Sequence, residues 1–86
     1  MKITFTPAGW EDYLWWQVQD RQVLKRLNRL IDDMARNGHE GIGKPEPLCQ
    51  SLSGYWSRRV TTEHRIIHAI EDGTVVIIAC RFHYGE

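Results

Sequence analysis

The chain has 86 residues, 42% hydrophobic and 26% charged, which leaves room for one small domain, expected to span residues 1–86, and no second core. Lys plus Arg number 11 and Asp plus Glu number 11, so the formal charge is zero. That excludes a general polyanion binder, and any contact with nucleic acid has to come from a local basic patch. Two cysteines and no apolar run long enough for a leader or a membrane span point to reduced thiols, a cytoplasmic protein and no membrane partner.

Ile3 and Phe5 alternate with polar neighbours and predict a short first strand over residues 2–6. Thr6 then reads as an N-cap with Pro7 at the first helical position. Trp10, Tyr13, Leu14 and Gln17-Val18 follow the spacing of one helical face, and Asp20 reads as a second N-cap. The run Val23, Leu24, Leu27, Leu30, Ile31, Met34 is the cleanest amphipathic pattern in the chain, closed by Asn37-Gly38. Helices joined this tightly predict an antiparallel hairpin.

Residues 38–54 carry six Gly and Pro residues and no periodicity, the signature of a long ordered loop. Three strand-like runs follow, Tyr55 to Thr61, Arg65 to Ile70 and Val75 to Phe82. The expected fold is α+β, in the order β-α-α-β-β-β, with the helical hairpin on one face of a mostly antiparallel sheet. The last turn sets the register. A two-residue turn at Asp72-Gly73 pairs Glu71 with Thr74 and separates Arg65 from His83. A three-residue turn, Glu71-Asp72-Gly73, shifts the pairing by one. Arg65, Arg81 and His83 then share a face with Ala69 and Ala79, while Ile66, Ile70, Val76, Ile78, Cys80 and Phe82 turn towards the helices. The second register segregates apolar from titratable side chains, and the bulged turn is the one expected.

Three residues form a candidate reaction set. Glu46 is held between Pro45 and Pro47, which keep it out of helical conformation and present its carboxylate from a stiff segment. His83 can take or give a proton near neutral pH, and Arg65 brings a fixed charge with a planar fork suited to phosphate. Lys44, Arg58, Arg59 and Arg81 could add positive charge. A carboxylate, an imidazole and guanidiniums, with no cofactor and no metal, suit cleavage of RNA by its own 2′-hydroxyl: base, acid and phosphorane stabiliser. Tyr55, Trp56 and Tyr84 could stack on unpaired bases.

Ordinary readings stand beside these. Taken singly, Glu46 is a solvated loop residue, Arg58-Arg59 one structural and one exposed arginine, and His83 a terminal histidine. Trp10, Trp15 and Trp16 read as core and hairpin seam. His64 and His68 lie about 13 Å apart on an extended strand and make no metal pair. Cys49 and Cys80 lack partners at zinc-ligand spacing. On the second helix Lys25, Arg26, Arg29 and Arg36, interleaved with Asp32 and Asp33, read as a solvated face, with docking to an RNA-rich partner as the sharper alternative.

Gly43-Lys44-Pro45-Glu46-Pro47-Leu48, then Leu52 to Arg59, Glu63-His64-Arg65 and the ending Ala79-Cys80-Arg81-Phe82-His83-Tyr84 resemble the YoeB family of bacterial toxins, of the RelE/ParE superfamily. The likeness extends upstream through Trp10 to Leu14 and Asp20 and covers residues 1–84. It implies a ribosome-dependent endoribonuclease that cuts messenger RNA in the A site and stops translation. It also implies a YefM-type antitoxin partner, with operator DNA contacted only through that antitoxin. Carried over by position, Glu46 is the general base, His83 the general acid and Arg65 the transition-state stabiliser. Arg59 contacts phosphate, and Tyr84 supports the site. Cys49 departs from a lysine common at that loop position, with Lys44 or Arg58 as the compensating charge. The alternatives are a binding-only toxin of the gyrase-poisoning ParE kind and an inactive homologue that titrates antitoxin. Exposed aromatics leave room for a homodimer.

Overall fold

The computed structural model describes residues 1–82; the expected site residues His83 and Tyr84 lie outside them. The elements are β1 (Lys2–Phe5), α1 (Pro7–Gln19), α2 (Arg21–Asn37), β2 (Glu46–Pro47), a 3-10 turn (Gln50–Leu52), β3 (Trp56–Arg59), β4 (Arg65–Glu71) and β5 (Thr74–Ala79). They build one five-stranded sheet in the order β1-β5-β4-β3-β2, with β1 parallel to β5 and every other pair antiparallel. The α+β expectation holds. The long loop is the exception, because it contains β2, a two-residue edge strand that no periodicity could reveal.

Both helix starts form as the sequence dictates. The Thr6 hydroxyl accepts from the Gly9 N–H, and the Asp20 carboxylate accepts from the N–H groups of Gln22 and Val23. Asp20 alone separates α1 from α2, and the Tyr13 hydroxyl donates to Asn28 Oδ1 at 2.7 Å across the antiparallel hairpin. The apolar stripe of α2 supplies Leu27, Leu30 and Met34, all fully buried, which meet Trp16, Val60, Ile66, Val75, Ile77 and Cys80 in the core.

The face assigned to α1 is corrected. Trp10, Leu14 and Val18 are exposed (Val18 by 82%), and the helix buries Gly9 and Trp16 instead. The cause is a close approach to β5. A side chain at Gly9 would collide with the Ile77 carbonyl, so only glycine lets α1 lie against that strand.

The turn between β4 and β5 is corrected too. Glu71 pairs with Thr74, and Asp72 and Gly73 both have positive φ (49° and 73°), which is the two-residue turn. The one-residue shift occurs further along. His68 pairs with Ile77 but Ile67 with Ala79, which leaves Ile78 as the extra residue of a bulge. Helix α1 satisfies the backbone groups freed there. The Thr6 N–H donates to the Ile77 carbonyl at 3.0 Å, the Cys80 N–H donates to Asp12 Oδ2 at 3.0 Å, and the Trp16 indole donates to the Cys80 carbonyl at 2.8 Å. Val75 and Ile77 therefore face the helices with Ile66, Ile70 and Cys80, while Val76 pairs with Ala69 on the far face and Phe82 is 53% exposed.

Candidate active site on the far face of the sheet

Three adjoining strands bring the expected residues to the face turned away from the helices. Glu46 of β2 pairs with Ser57 of β3, Ser57 pairs with Ile67 of β4, and two residues along Arg59 pairs with Arg65. Because paired and alternate residues share a face, Glu46, Ser57, Arg59, Arg65, Ile67, Ala69 and Ala79 lie together. Strand spacing puts the Glu46 Cα about 8 Å from that of Arg59 and about 12 Å from that of Arg65. Those gaps suit one carboxylate and two guanidiniums closing on a single phosphodiester. Ser57, Ile67, Ala69 and Ala79 form a buried floor, above which Glu46 and Arg59 are exposed and Arg65 half-buried.

Glu46 is positioned by backbone pairing on both sides. The Arg59 N–H donates to the Gly43 carbonyl at 2.7 Å, and the Leu48 N–H donates to the Tyr55 carbonyl at 2.9 Å. Gly43 (φ 84°) and Lys44 (φ 52°) turn the chain into this short strand, and Lys44 is exposed beside it. Arg65 is fixed by its own turn: one Nη1 donates to the carbonyls of Thr61 (2.9 Å), Thr62 (3.1 Å) and His64 (3.1 Å). Its other two nitrogens make no hydrogen bond among the described residues, so part of the fork is left for an anion.

Three expected contributors are placed elsewhere. Arg58 is a correction: strand alternation turns it to the helix side, where it is fully buried. It donates to Asp33 (2.5 Å) and to the carbonyls of Ile42 (3.0 Å), Gly38 (2.7 Å) and Glu40 (2.9 Å). It anchors the segment leading into β2 and cannot touch RNA. Arg81 lays its guanidinium 4.1 Å from the ring centroid of Trp15 on α1. Trp56 stacks on His39 at 4.0 Å, away from the site. Cys49 is exposed, with a free thiol, at the start of the 3-10 turn.

Sequence reasoning missed what lies beneath the anchor. Asp33, assigned there to a solvated face, accepts from Arg58, the Ile42 N–H and Asn37. Its carboxyl is held below the ordinary value chiefly by the Arg58 hydrogen bond, against the opposing effect of burial. On the same side of the sheet His68 is fully buried, with neither ring nitrogen partnered among the described residues, and its ring lies 5.6 Å from that of His39. Burial above all, with His39 and Arg58 adding, pushes His68 down to about 4. His39 is lowered by burial and then by Arg58. The Asp33-Asn37 spacing was the one sequence hint of this anchor.

A helical hairpin packed on one face of a five-stranded mixed sheet is the fold of the YoeB/RelE/ParE toxins. A family model described as the YoeB-like toxin of bacterial type II toxin-antitoxin systems matches residues 5–84. The Toxin YoeB of Synechocystis is 57% identical over 84 residues, 98% of both chains. A YoeB/ParE toxin from Agrobacterium tumefaciens superposes with a TM-score of 0.92 at 43% identity, covering 98% of this chain and all of that one. The Staphylococcus aureus YoeB, solved as a dimer and in a YoeB-YefM complex, superposes at 0.89 in both, 44% and 42% identical, covering 98% of each chain. The chain belongs to the YoeB-like toxin family of type II toxin-antitoxin systems. Among the described residues no helix is long and apolar enough to cross a membrane.

Proposed function

We propose that residues 1–86 act as one toxin domain, a ribosome-dependent endoribonuclease that cuts messenger RNA in the A site without a metal ion and stops translation. The observation that carries this reading is the meeting of Glu46, Arg59 and Arg65 on one face of three adjoining strands. Glu46 removes the 2′-hydroxyl proton, and the 2′ oxygen attacks the adjacent phosphorus. The bond to the 5′ oxygen breaks, and His83 supplies that oxygen with a proton. A 2′,3′-cyclic phosphate and a 5′-hydroxyl remain. Arg65 stabilises the charge on the phosphorane, while Arg59 and Lys44 hold the flanking phosphates and Tyr84 supports the reacting nucleotide. Neutralisation by a YefM-like antitoxin and repression of the operon by the complex are proposed with it. The S. aureus YoeB-YefM complex supports the first of these. A homodimer is supported by the S. aureus dimer and by Trp10, 46% exposed in a cluster with Phe5 and Tyr13. A cytoplasmic site of action follows from the ribosome.

Primer extension on a translated message, with wild type and Glu46→Ala side by side, is the test. Cleavage should require ribosomes and slow about 10²–10⁴-fold in the variant. Growth arrest with the message intact, and unchanged by His83→Ala, would replace this reading with the binding-only one.

A further inference from the structure

The proposed chemistry leaves His64 unused, yet this residue touches two parts of the candidate site. Its carbonyl accepts from Arg65 Nη1 at 3.1 Å and from the backbone N–H groups of Val60 and Thr61 at 3.0 and 3.2 Å. Its ring reaches the other way, where Nδ1 accepts from the Phe82 N–H at 2.7 Å. The ring is itself held. Trp16 stands at right angles to it with ring centroids 4.8 Å apart, and the same indole donates to the Cys80 carbonyl. The Thr61 hydroxyl accepts from the His64 N–H at 3.1 Å, which fixes the turn that carries it. A neutral ring that accepts at Nδ1 keeps its proton on Nε2, and that nitrogen lies 3.7 Å from Glu63 Oε1.

The backbone that the ring holds is strained. Phe82 has φ 67°, a left-handed conformation that is unfavourable for a bulky residue and persists only where neighbours impose it. Strand β5 has ended at Ala79, so the steering of residues 80–82 falls to contacts from elsewhere. Besides the His64 bond, the Phe82 carbonyl accepts from the Arg65 N–H at 2.9 Å, and the Arg81 guanidinium lies over Trp15. His83 is the next residue in the chain. We propose that His64 is a positioning residue for the nuclease reaction: its Nδ1 clamps the Phe82 turn, so that the chain delivers His83 to the face Arg65 occupies. This inference rests on the endoribonuclease reading above. Packing alone does not account for the residue, since leucine would also fill the space against Trp16. What imidazole adds is an acceptor aimed at one backbone N–H. Without it the left-handed turn loses a bond that holds it, and the proton donor drifts. A displacement of about 1 Å at a reacting group costs on the order of 10²-fold in rate.

The test compares the full chain with His64→Leu, His64→Gln and His64→Asn. Asparagine carries an acceptor oxygen where Nδ1 sits, glutamine carries it further out, and leucine carries none. In single-turnover cleavage of message on ribosomes, the first two variants should be slower by about 10–10²-fold with half-saturation moved less than about twofold, and His64→Asn should recover to within about threefold of wild type. Amide hydrogen exchange gives a second readout that owes nothing to cleavage. The Phe82 N–H should be protected in wild type and in His64→Asn and exchange freely in the other two, while the amides of β4 stay protected in all four. Equal cleavage rates in His64→Leu and wild type would overturn the proposal. So would a His64→Asn protein as slow as His64→Gln, a loss carried by half-saturation, or a Phe82 amide unprotected in the wild type. Wild type that leaves the message whole removes the nuclease reading, whereas Phe82 protection that still follows residue 64 in the stated order keeps the clamp.

Discussion

Replacing Arg58 with alanine should damage the fold rather than an RNA contact, and the size of the effect follows from its surroundings. The fully buried guanidinium serves the Asp33 carboxylate and the carbonyls of Gly38, Glu40 and Ile42. Removing it strands a partly buried carboxylate and three backbone acceptors. Removing one partner of a buried ion pair costs about 3–5 kcal/mol. A domain of this size has roughly 4–13 kcal/mol in all. Each kcal/mol moves Tm by about 4–8 °C in small domains, so a fall of at least about 12 °C is expected. Arg58→Lys, which keeps the charge and loses the fork, should fall between. The assay is urea unfolding followed by circular dichroism, with Arg58→Ala, Asp33→Ala and the double variant closing a cycle. The double should cost less than the sum of the singles.

The pH dependence adds a second check. Asp33 has its pKa lowered in the fold. Its contribution is therefore present above the unfolded value of about 3.9 and is lost as pH falls through the folded one. The cost of Arg58→Ala should be flat between about pH 5 and 8. An Arg58→Ala protein with an unchanged unfolding midpoint but weakened RNA binding would refute the anchoring role outright.

Three further outcomes are expected. His68 has a folded pKa of about 4, so the stability it contributes as a neutral ring is complete above the unfolded value of about 6.5 and drains away as pH falls towards 4. Stability should drop by about 2–3 kcal/mol between pH 7 and 4.5, and His68→Leu should leave only the smaller part due to His39; an unaltered pH slope in that variant would contradict the assignment. Gly9→Ala places a Cβ against the Ile77 carbonyl. Despite the better helix propensity it should destabilise by roughly 1–3 kcal/mol in thermal melts, and a more stable variant would show that α1 does not need this approach. Cys49→Lys should raise the rate of message cleavage by adding a cation three residues after Glu46, and an equal or lower rate would count against that position.

The elements that were legible in the sequence are those whose stability is local. Helix α2 carries its own stripe, its Asp20 cap and its Gly38 stop, and Leu27, Leu30 and Met34 bury as read. For α1 the large aromatic side chains misled, because its packing is decided by the smallest residue on the helix, Gly9, meeting a particular stretch of β5. The turn and the bulge show the same division. Asp72-Gly73 is a local signal for a two-residue turn, whereas the shift at Ile78 is stabilised by Thr6, Asp12 and Trp16 from a distant helix, which no local pattern reports.

For the site, the weakest local signal carries the most weight. Arg65 and Arg59 sit on strands that periodicity finds, but Glu46 reaches their face only because two residues between prolines pair with β3. Had Glu46 stayed in an unpaired loop, nothing would fix which face it joined. Strand alternation requires that one of Arg58 and Arg59 point inward, whereas the sequence reading offered both to RNA. Asp33 decides it. By drawing Arg58 into the helix side, it turns Arg59 outward and ties down the 38–42 backbone. The register of β2 against Ser57 then follows from the Gly43–Arg59 backbone bond. Site geometry and buried ion pair are therefore one construction, and loosening the Asp33–Arg58 pair should disperse the Glu46–Arg59–Arg65 face even though neither residue touches substrate.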